Sequence, residues 1–153
     1  MDNLDYVAEY DRLKTKVLKY IIYKKRTENE IKQKFSSVID EEILEDIIEE
    51  LKENGYIDDS NYIDRAVQEF IALKNMSIKE IKYKLFAKGL SSDIIDEYVS
   101  HHIDDLTDYE IQSAKNIYIK KQTLAESEEI KQFLLKKGYM MESIKEALNG
   151  VEE

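Results

Sequence analysis

A six-residue pattern recurs three times along this chain, and helix punctuation brackets it. Glu30-Ile31-Lys32-Gln33-Lys34-Phe35 matches Glu80-Ile81-Lys82-Tyr83-Lys84-Leu85 at an offset of 50, and that matches Glu129-Ile130-Lys131-Gln132-Phe133-Leu134 at an offset of 49. Upstream, Thr27-x-x-Glu30 and Ser77-x-x-Glu80 have the form of capping boxes, in which hydroxyl and carboxylate satisfy orphan amides at a helix start. Downstream, Leu85-x-x-x-Gly89-Leu90 and Leu134-x-x-x-Gly138-Tyr139 place glycine where a helix terminates in the left-handed conformation. A period near 50 residues with its own starts and stops restricts the chain to stacked copies of one helical unit.

Each unit contains a long helix, a short capped helix and a closing helix. The long helices are expected over Glu9–Lys25, Asp59–Asn75 and Asp108–Gln122, the last opened by a Thr107-x-x-Glu110 box. Closing helices are expected over Glu41–Asn54, Ser92–His101 and Met141–Leu148, making nine in all. Apolar residues recur at helical spacing, as in Leu13, Val17, Tyr20 and Ile21, or Ile63, Ala66, Val67, Phe70 and Leu73. No segment alternates like a strand, and the chain has no proline. The expected fold is all-α: tandem repeats of three-helix bundles, spanning 1–57, 58–103 and 104–153, in an elongated, curved rod.

The first two units meet at Gly55-Tyr56-Ile57-Asp58-Asp59-Ser60-Asn61-Tyr62. Gly55 supplies a left-handed stop, with Tyr56 expected to pack back on Leu51. Asp58 is placed to cap the next helix, and Ile57 and Tyr62 have the spacing of a hydrophobic staple. Gly55, Asp58, Asp59, Tyr62, Gly89 and Gly138 are therefore read as structural positions that set the geometry between modules.

Charge excludes some functions and favours others. The 153 residues carry 23 Lys+Arg against 33 Asp+Glu, for a net charge of −10, which opposes simple nonspecific binding to nucleic acid. The distribution is bipolar: Arg12–Lys34 holds nine basic and two acidic residues, and Asp40–Asp59 holds ten acidic and one basic. Such a surface suits a charge-patterned protein partner. Without cysteine there is no disulfide framework or thiolate metal site. The acidic start has no signal-peptide pattern, and no apolar run approaches the roughly 20 residues needed to cross a bilayer. A cytoplasmic, monomeric protein is expected.

Catalytic chemistry finds little support. His101 and His102 are adjacent, so on a regular helix they point about 100° apart and cannot share one metal ion. Serines and threonines fall mostly at capping positions, and the glycines occur singly at helix ends rather than in a phosphate-binding loop. No catalytic, cofactor or metal site is expected, and no small-molecule substrate. Basic and aromatic residues interleave at Tyr20–Arg26, Lys82–Lys84 and Tyr118–Lys121, a mixture suited to an acidic protein surface or a nucleic-acid backbone. Lys32, Lys82 and Lys131 are equivalent in the three units, as are Lys34 and Lys84 in two, so regular stacking would align them in a basic row. The candidate contact surface comprises Lys24, Lys25, Arg26, Lys32, Lys34, Arg65, Lys79, Lys82, Lys84, Lys88 and Lys131.

Over nearly its whole length the chain resembles the RecX family of recombination regulators. The family's Leu-Asp-Asp, followed two residues later by an aromatic and Ala, is similar to Ile57-Asp58-Asp59-Ser60-Asn61-Tyr62-Ile63. Its helix ending in Lys-Gly-Ile/Leu is similar to Leu85-x-x-Lys88-Gly89-Leu90. Departures are Ile57 for Leu, Ile63 for Ala, and Asn75 where Gly is common, a mild change because Asn tolerates the left-handed conformation. The resemblance implies a noncatalytic protein that binds the RecA recombinase in the groove of its DNA filament and blocks or disassembles it; indirect or weak contact with DNA is a further expectation. Two other classes are a stand-alone helical DNA-binding module, which would bind naked DNA with a steep salt slope, and a helical-repeat adaptor for a different protein.

Overall fold

The computed structural model describes residues 3–152, and the described residues form nine helices and no strand. They are α1 (Asn3–Tyr23), α2 (Glu28–Phe35), α3 (Glu41–Glu53), α4 (Asp59–Leu73), α5 (Ile78–Ala87), α6 (Ser92–His101), α7 (Ile103–Lys121), α8 (Ser127–Lys137) and α9 (Met141–Glu152). Long, short and closing helices follow one another in three rounds, as the repeated pattern requires. The chain divides into two compact units. Unit 1 runs to Tyr62 and takes in Lys88–Leu90; unit 2 comprises Ile63–Ala87 and the chain from Ser91 onward.

The core of unit 1 is built from the inward stripes of three amphipathic helices. Leu13, Val17 and Ile21 of α1 meet Ile31 and Phe35 of α2 and Leu44, Ile47, Ile48 and Leu51 of α3, with Ile57 closing the end. Polar contacts on the rim lock α1 to α3: Tyr10 Oη donates to Glu50 Oε2 (2.7 Å) and Lys14 Nζ to Glu50 Oε1 (2.9 Å). In unit 2 a second cluster joins Ala114 and Tyr118 of α7 to Ile130 and Leu134 of α8 and to Ile144, Ala147 and Leu148 of α9.

The glycine stops are as expected. Gly55, Gly89 and Gly138 have φ of 79°, 90° and 98°. At the first, the Gly55 and Tyr56 amides donate to the carbonyls of Lys52 (3.0 Å) and Leu51 (2.8 Å), the paired bonds of a Schellman motif. Tyr56, after the stop, is 49% exposed, and Ile57 takes the buried position. Asp58 caps α4 by accepting from the Asn61 amide (3.0 Å).

Both expected boxes on the short helices form, and each does more than cap. In unit 1 the Thr27 amide donates to Glu30 Oε1 (3.1 Å) and the Glu30 amide to Thr27 Oγ1 (3.1 Å). The same hydroxyl donates to the Lys88 carbonyl at 2.8 Å. In unit 2 the Ser77 amide donates to Glu80 Oε1 (3.0 Å), the Glu80 amide to Ser77 Oγ (3.1 Å), and Ser77 Oγ to the Lys137 carbonyl (2.8 Å). Lys88 and Lys137 immediately precede the stop glycines Gly89 and Gly138. The hydroxyl of one round thus satisfies a carbonyl left orphaned at the helix end of the next.

A carboxylate completes each joint. Asp59 Oδ1 accepts from the Glu28 amide at the start of α2 (3.1 Å). In unit 2, Glu110 Oε2 accepts from the Ile78 amide at the start of α5 (2.7 Å), and its Oε1 from the Met140 amide just before α9 (3.0 Å). Glu110 is fully buried, so two helix N-termini hold one carboxylate away from water. Beside it, Tyr109 Oη accepts from the Met76 amide (3.1 Å) and donates to the Lys74 carbonyl (2.5 Å), fixing the α4–α5 connection.

This arrangement corrects the expected start of the third round. Thr107 and Glu110 form no capping box; both lie inside α7, which starts at Ile103 directly after the break at His102. The Thr-x-x-Glu spacing is met by chance, and the carboxylate that would have capped its own helix points at two others. Leu73, placed on the inward stripe of α4, is exposed because that helix ends there. Asn75 does not take the left-handed conformation, since no described non-glycine residue has positive φ; its Oδ1 instead accepts from Asn116 Nδ2 (3.0 Å).

Four stability results are expected. A Cβ added at Gly55 would meet nothing within 4 Å, whereas one at Gly89 would lie 2.5–2.9 Å from Asn29 atoms. In urea titrations Gly55→Ala is therefore expected to cost about 1 kcal/mol for the left-handed backbone alone. Gly89→Ala is expected to cost about 3 kcal/mol, strain and overlap together; equal costs would refute the close approach. Glu110→Ala, which strands two amides, is expected to lose about 3 kcal/mol by the same measurement. For Asp59, burial holds the carboxyl above its usual value, against the opposing pull of the Glu28 amide. A raised folded pKa means that ionisation costs the folded state, so this group's stability contribution falls as pH rises through the carboxylate range. Asp59→Asn keeps an acceptor oxygen without the charge. Its melting temperature relative to the parent is expected to rise between about pH 3 and neutrality, and a fall would reverse the sign assigned to Asp59.

Candidate interaction surface

The first basic–aromatic cluster lies in unit 1, at the turn from α1 to α2. Tyr20 of α1 meets Phe35 of α2 edge-on, with ring centroids 5.6 Å apart. The Arg26 guanidinium lies over the Tyr20 ring at 4.2 Å, and Lys34 Nζ approaches it at 5.7 Å. Arg26 also faces Glu30 at 3.9 Å. Stacked in this way it belongs to the packing of the turn, because a guanidinium gives up little hydration to cover a ring. Lys24 and Lys25 are exposed beside Ile22 and Tyr23, which are exposed as well. Lys32 is drawn to Glu28 (3.9 Å), a carboxylate that Lys52 also reaches at 2.8 Å.

The second cluster is the outward face of α5 in unit 2. Ile78, Ile81 and Leu85 point inward and are buried, which turns Lys79, Tyr83 and Phe86 to the opposite side. Tyr83 is 73% exposed and Phe86 60%. Two bulky aromatics held in water one turn apart, with Lys79 and Lys84 around them, have the composition of a protein-contact patch. Lys82, at the flank, pairs with Asp96 of α6 at 3.2 Å. Arg65 is exposed on α4, Lys88 is exposed while its carbonyl serves the joint, and Lys131 is half-buried on α8. Of the eleven predicted cations, the structure brings Arg26 and Lys34 together over one ring, and Lys79, Lys82 and Lys84 along one helix.

His101 and His102 separate in role. His101 is exposed, while the His102 ring stacks on Tyr98 (4.1 Å between centroids, 20° apart) and its Nδ1 lies 2.8 Å from the Tyr98 carbonyl. The Tyr98 hydroxyl donates to Asp64 Oδ1 (3.0 Å); burial and that carboxylate push its pKa up to about 12. The pair stiffens the break between α6 and α7. Among the described residues no group of three or more His, Cys, Asp or Glu is placed to hold a metal ion, and no helix is long and apolar enough to cross a membrane.

The joint roles of Tyr109 and Glu110, and the reach of Asp59 to α2, are structural features that sequence reasoning passed over. One signal for Glu110 is available: it stands between Leu106 and Ala114 at four-residue spacing, a lone acid on an apolar stripe. An acid on a core face needs buried donors, and helix N-termini supply them.

No protein-family model matches the chain. It is 32% identical over 145 residues to the regulatory protein RecX of Clostridioides difficile, covering 92% of this chain and 68% of that protein. Against the regulatory protein RecX of Clostridium acetobutylicum it is 30% identical over 164 residues, covering 99% and 75%. The chain spans 59% of the Staphylococcus carnosus RecX, to which it is 26% identical, so some relatives are considerably longer. Among solved structures, RecX from Lactobacillus salivarius superposes with a TM-score of 0.81 at 24% identity, covering 95% of this chain and 98% of that one. A second, of regulatory protein RecX, gives 0.80 at 22% identity, covering 97% and 80%. At that level of identity the structures establish the fold, and the two clostridial sequences establish kinship. This chain belongs to the RecX family of regulatory proteins.

Proposed function

We propose that this chain is a noncatalytic regulator of homologous recombination that binds the RecA recombinase filament on DNA and inhibits or remodels it. The observation that carries the reading is kinship of at least 30% identity across nearly the whole chain with proteins named as RecX regulators. In this reading it acts in the cytoplasm, in DNA repair and the SOS response, as a monomer whose modules 1–57, 58–103 and 104–153 dock in succession. Several modest contacts made by linked modules add up to tight binding without any one strong site. The outward face of α5, with Tyr83 and Phe86 between lysines, supports a protein partner. A net charge of −10 supports protein contact over direct binding to phosphate.

Substoichiometric protein is expected to depress RecA-catalysed strand exchange and single-strand-dependent ATP hydrolysis. If neither changes while circular dichroism shows intact helices, the reading fails. The Lys82→Glu/Lys84→Glu double variant is expected to bind filaments about fivefold more weakly at unchanged helicity, the scale of two rim charges. Unaltered affinity would remove these lysines from the contact. Tight binding to naked DNA with a steep salt slope would favour the stand-alone DNA-binding alternative.

A further inference from the structure

Unit 2 contains a second surface feature, whose lysines are not among the predicted contact cations. Ile117 of α7, Leu124 in the α7–α8 turn and Phe133 of α8 floor an open groove of about 370 Å³. Lys120, Lys121 and Lys137 stand around it, and no acidic side chain lines it. Leu124 is 87% exposed, an expensive position for a leucine that nothing in the unit covers. Lys121 Nζ lies 4.1 Å from the Phe133 ring centroid and Lys137 Nζ 5.5 Å, so the ring is attended by two ammonium groups. Lys137 also faces Glu80 at 3.5 Å, whereas Lys120 and Lys121 make no ion pair among the described residues.

We propose that this groove docks an acidic segment of a partner protein, one that carries a bulky apolar side chain among its carboxylates. Charge complementarity selects the sign, and the apolar floor selects the anchor. Rim lysines contribute little singly, so the affinity resides in burying the anchor against Leu124, Ile117 and Phe133. A nucleic acid fits less well, because ammonium groups occupy the surroundings of the one aromatic ring on which a base would stack. Docked through its most acidic stretch, a second copy of this chain also fits less well. Its acidic helix α3 turns Leu44, Ile47, Ile48 and Leu51 into its own core and offers carboxylates without an anchor.

The proposal deepens the reading above by assigning the chemistry that the partner presents. The test is fluorescence anisotropy of the full chain with a short, labelled Asp/Glu-rich peptide bearing one central Phe. Parallel titrations use the same peptide with Ala at that position and a thymidine oligonucleotide of matched charge. The Phe peptide is expected to bind, and its Ala analogue about tenfold more weakly. Leu124→Ala and Lys120→Glu/Lys121→Glu are expected to weaken the Phe peptide by about tenfold each, with Lys19→Glu, at an exposed position of α1, without effect. Absence of binding, equal affinity for the two peptides, or preferential binding of the oligonucleotide would overturn the proposal. So would a dimer of the parent protein in sedimentation that Leu124→Ala dissociates. Co-sedimentation of the unaltered protein with RecA filaments tests the functional reading separately, so each can fail without the other.

Discussion

The structure depends on a hydroxyl that serves two helix ends at once. A helix N-terminus needs acceptors and a C-terminus needs donors. Asp or Asn caps an N-terminus as well as Ser or Thr, but a carboxylate cannot also donate. Thr27 and Ser77 can, and both are fully buried at positions where accepting from one helix and donating to another are required together. The carbonyl that accepts the hydrogen bond comes just before a glycine, and the reason is steric. At Gly138 an added Cβ would lie 2.9 Å from Lys79 Cβ and 3.2 Å from Ser77 Oγ. The glycine therefore stops its helix and also admits the neighbouring turn.

Around this bond the carboxylates are graded by burial. Asp59 serves one amide, and burial raises its pKa. Glu110 has no exposed surface and serves two amides, one on each oxygen. Amide donors at helix starts replace the water that such a carboxylate loses, and the partial positive charge of two helix ends adds to them. A joint of this kind is directional, unlike apolar burial, so it sets the register in which one round of helices meets the next. The repeat period reflects that requirement: Thr27 reaches Lys88 over 61 positions and Ser77 reaches Lys137 over 60.

Legibility in the sequence divides along the same line. Capping boxes and glycine stops are local codes, complete within a few residues, so the fold class, the three rounds of helices and most boundaries could be read directly. Thr107-x-x-Glu110 shows the limit of such a code, because the spacing is right and only burial reveals that the carboxylate serves α5 and α9. Tyr56 and Ile57 show the same limit: both are apolar residues after a glycine, and the core admits one. The contact surface was far less legible. Whether a lysine is available depends on what stands across from it, and Asp96 of α6 for Lys82 lies on a scale that the hexad pattern does not encode. Of the α7–α8 groove the basic stretch at Lys120 and Lys121 was legible and the apolar floor was not, because Leu124 and Phe133 are joined by folding rather than by period.

Net charge and local charge also separate here. An excess of ten negative charges opposes a long polyanion, whose phosphates sample the whole molecule. It opposes a short acidic segment much less, because at physiological ionic strength fields decay over about 8 Å. Within that distance such a segment would meet Lys120 and Lys121, which lack ion-pair partners among the described residues, while Lys32 and Lys52 are engaged by Glu28 and Lys82 by Asp96. Internal pairing of these three lysines therefore does not blunt recognition. It leaves Lys120 and Lys121 beside the exposed Leu124, where an apolar anchor can add to their charge, so that one acidic chain can be told from another.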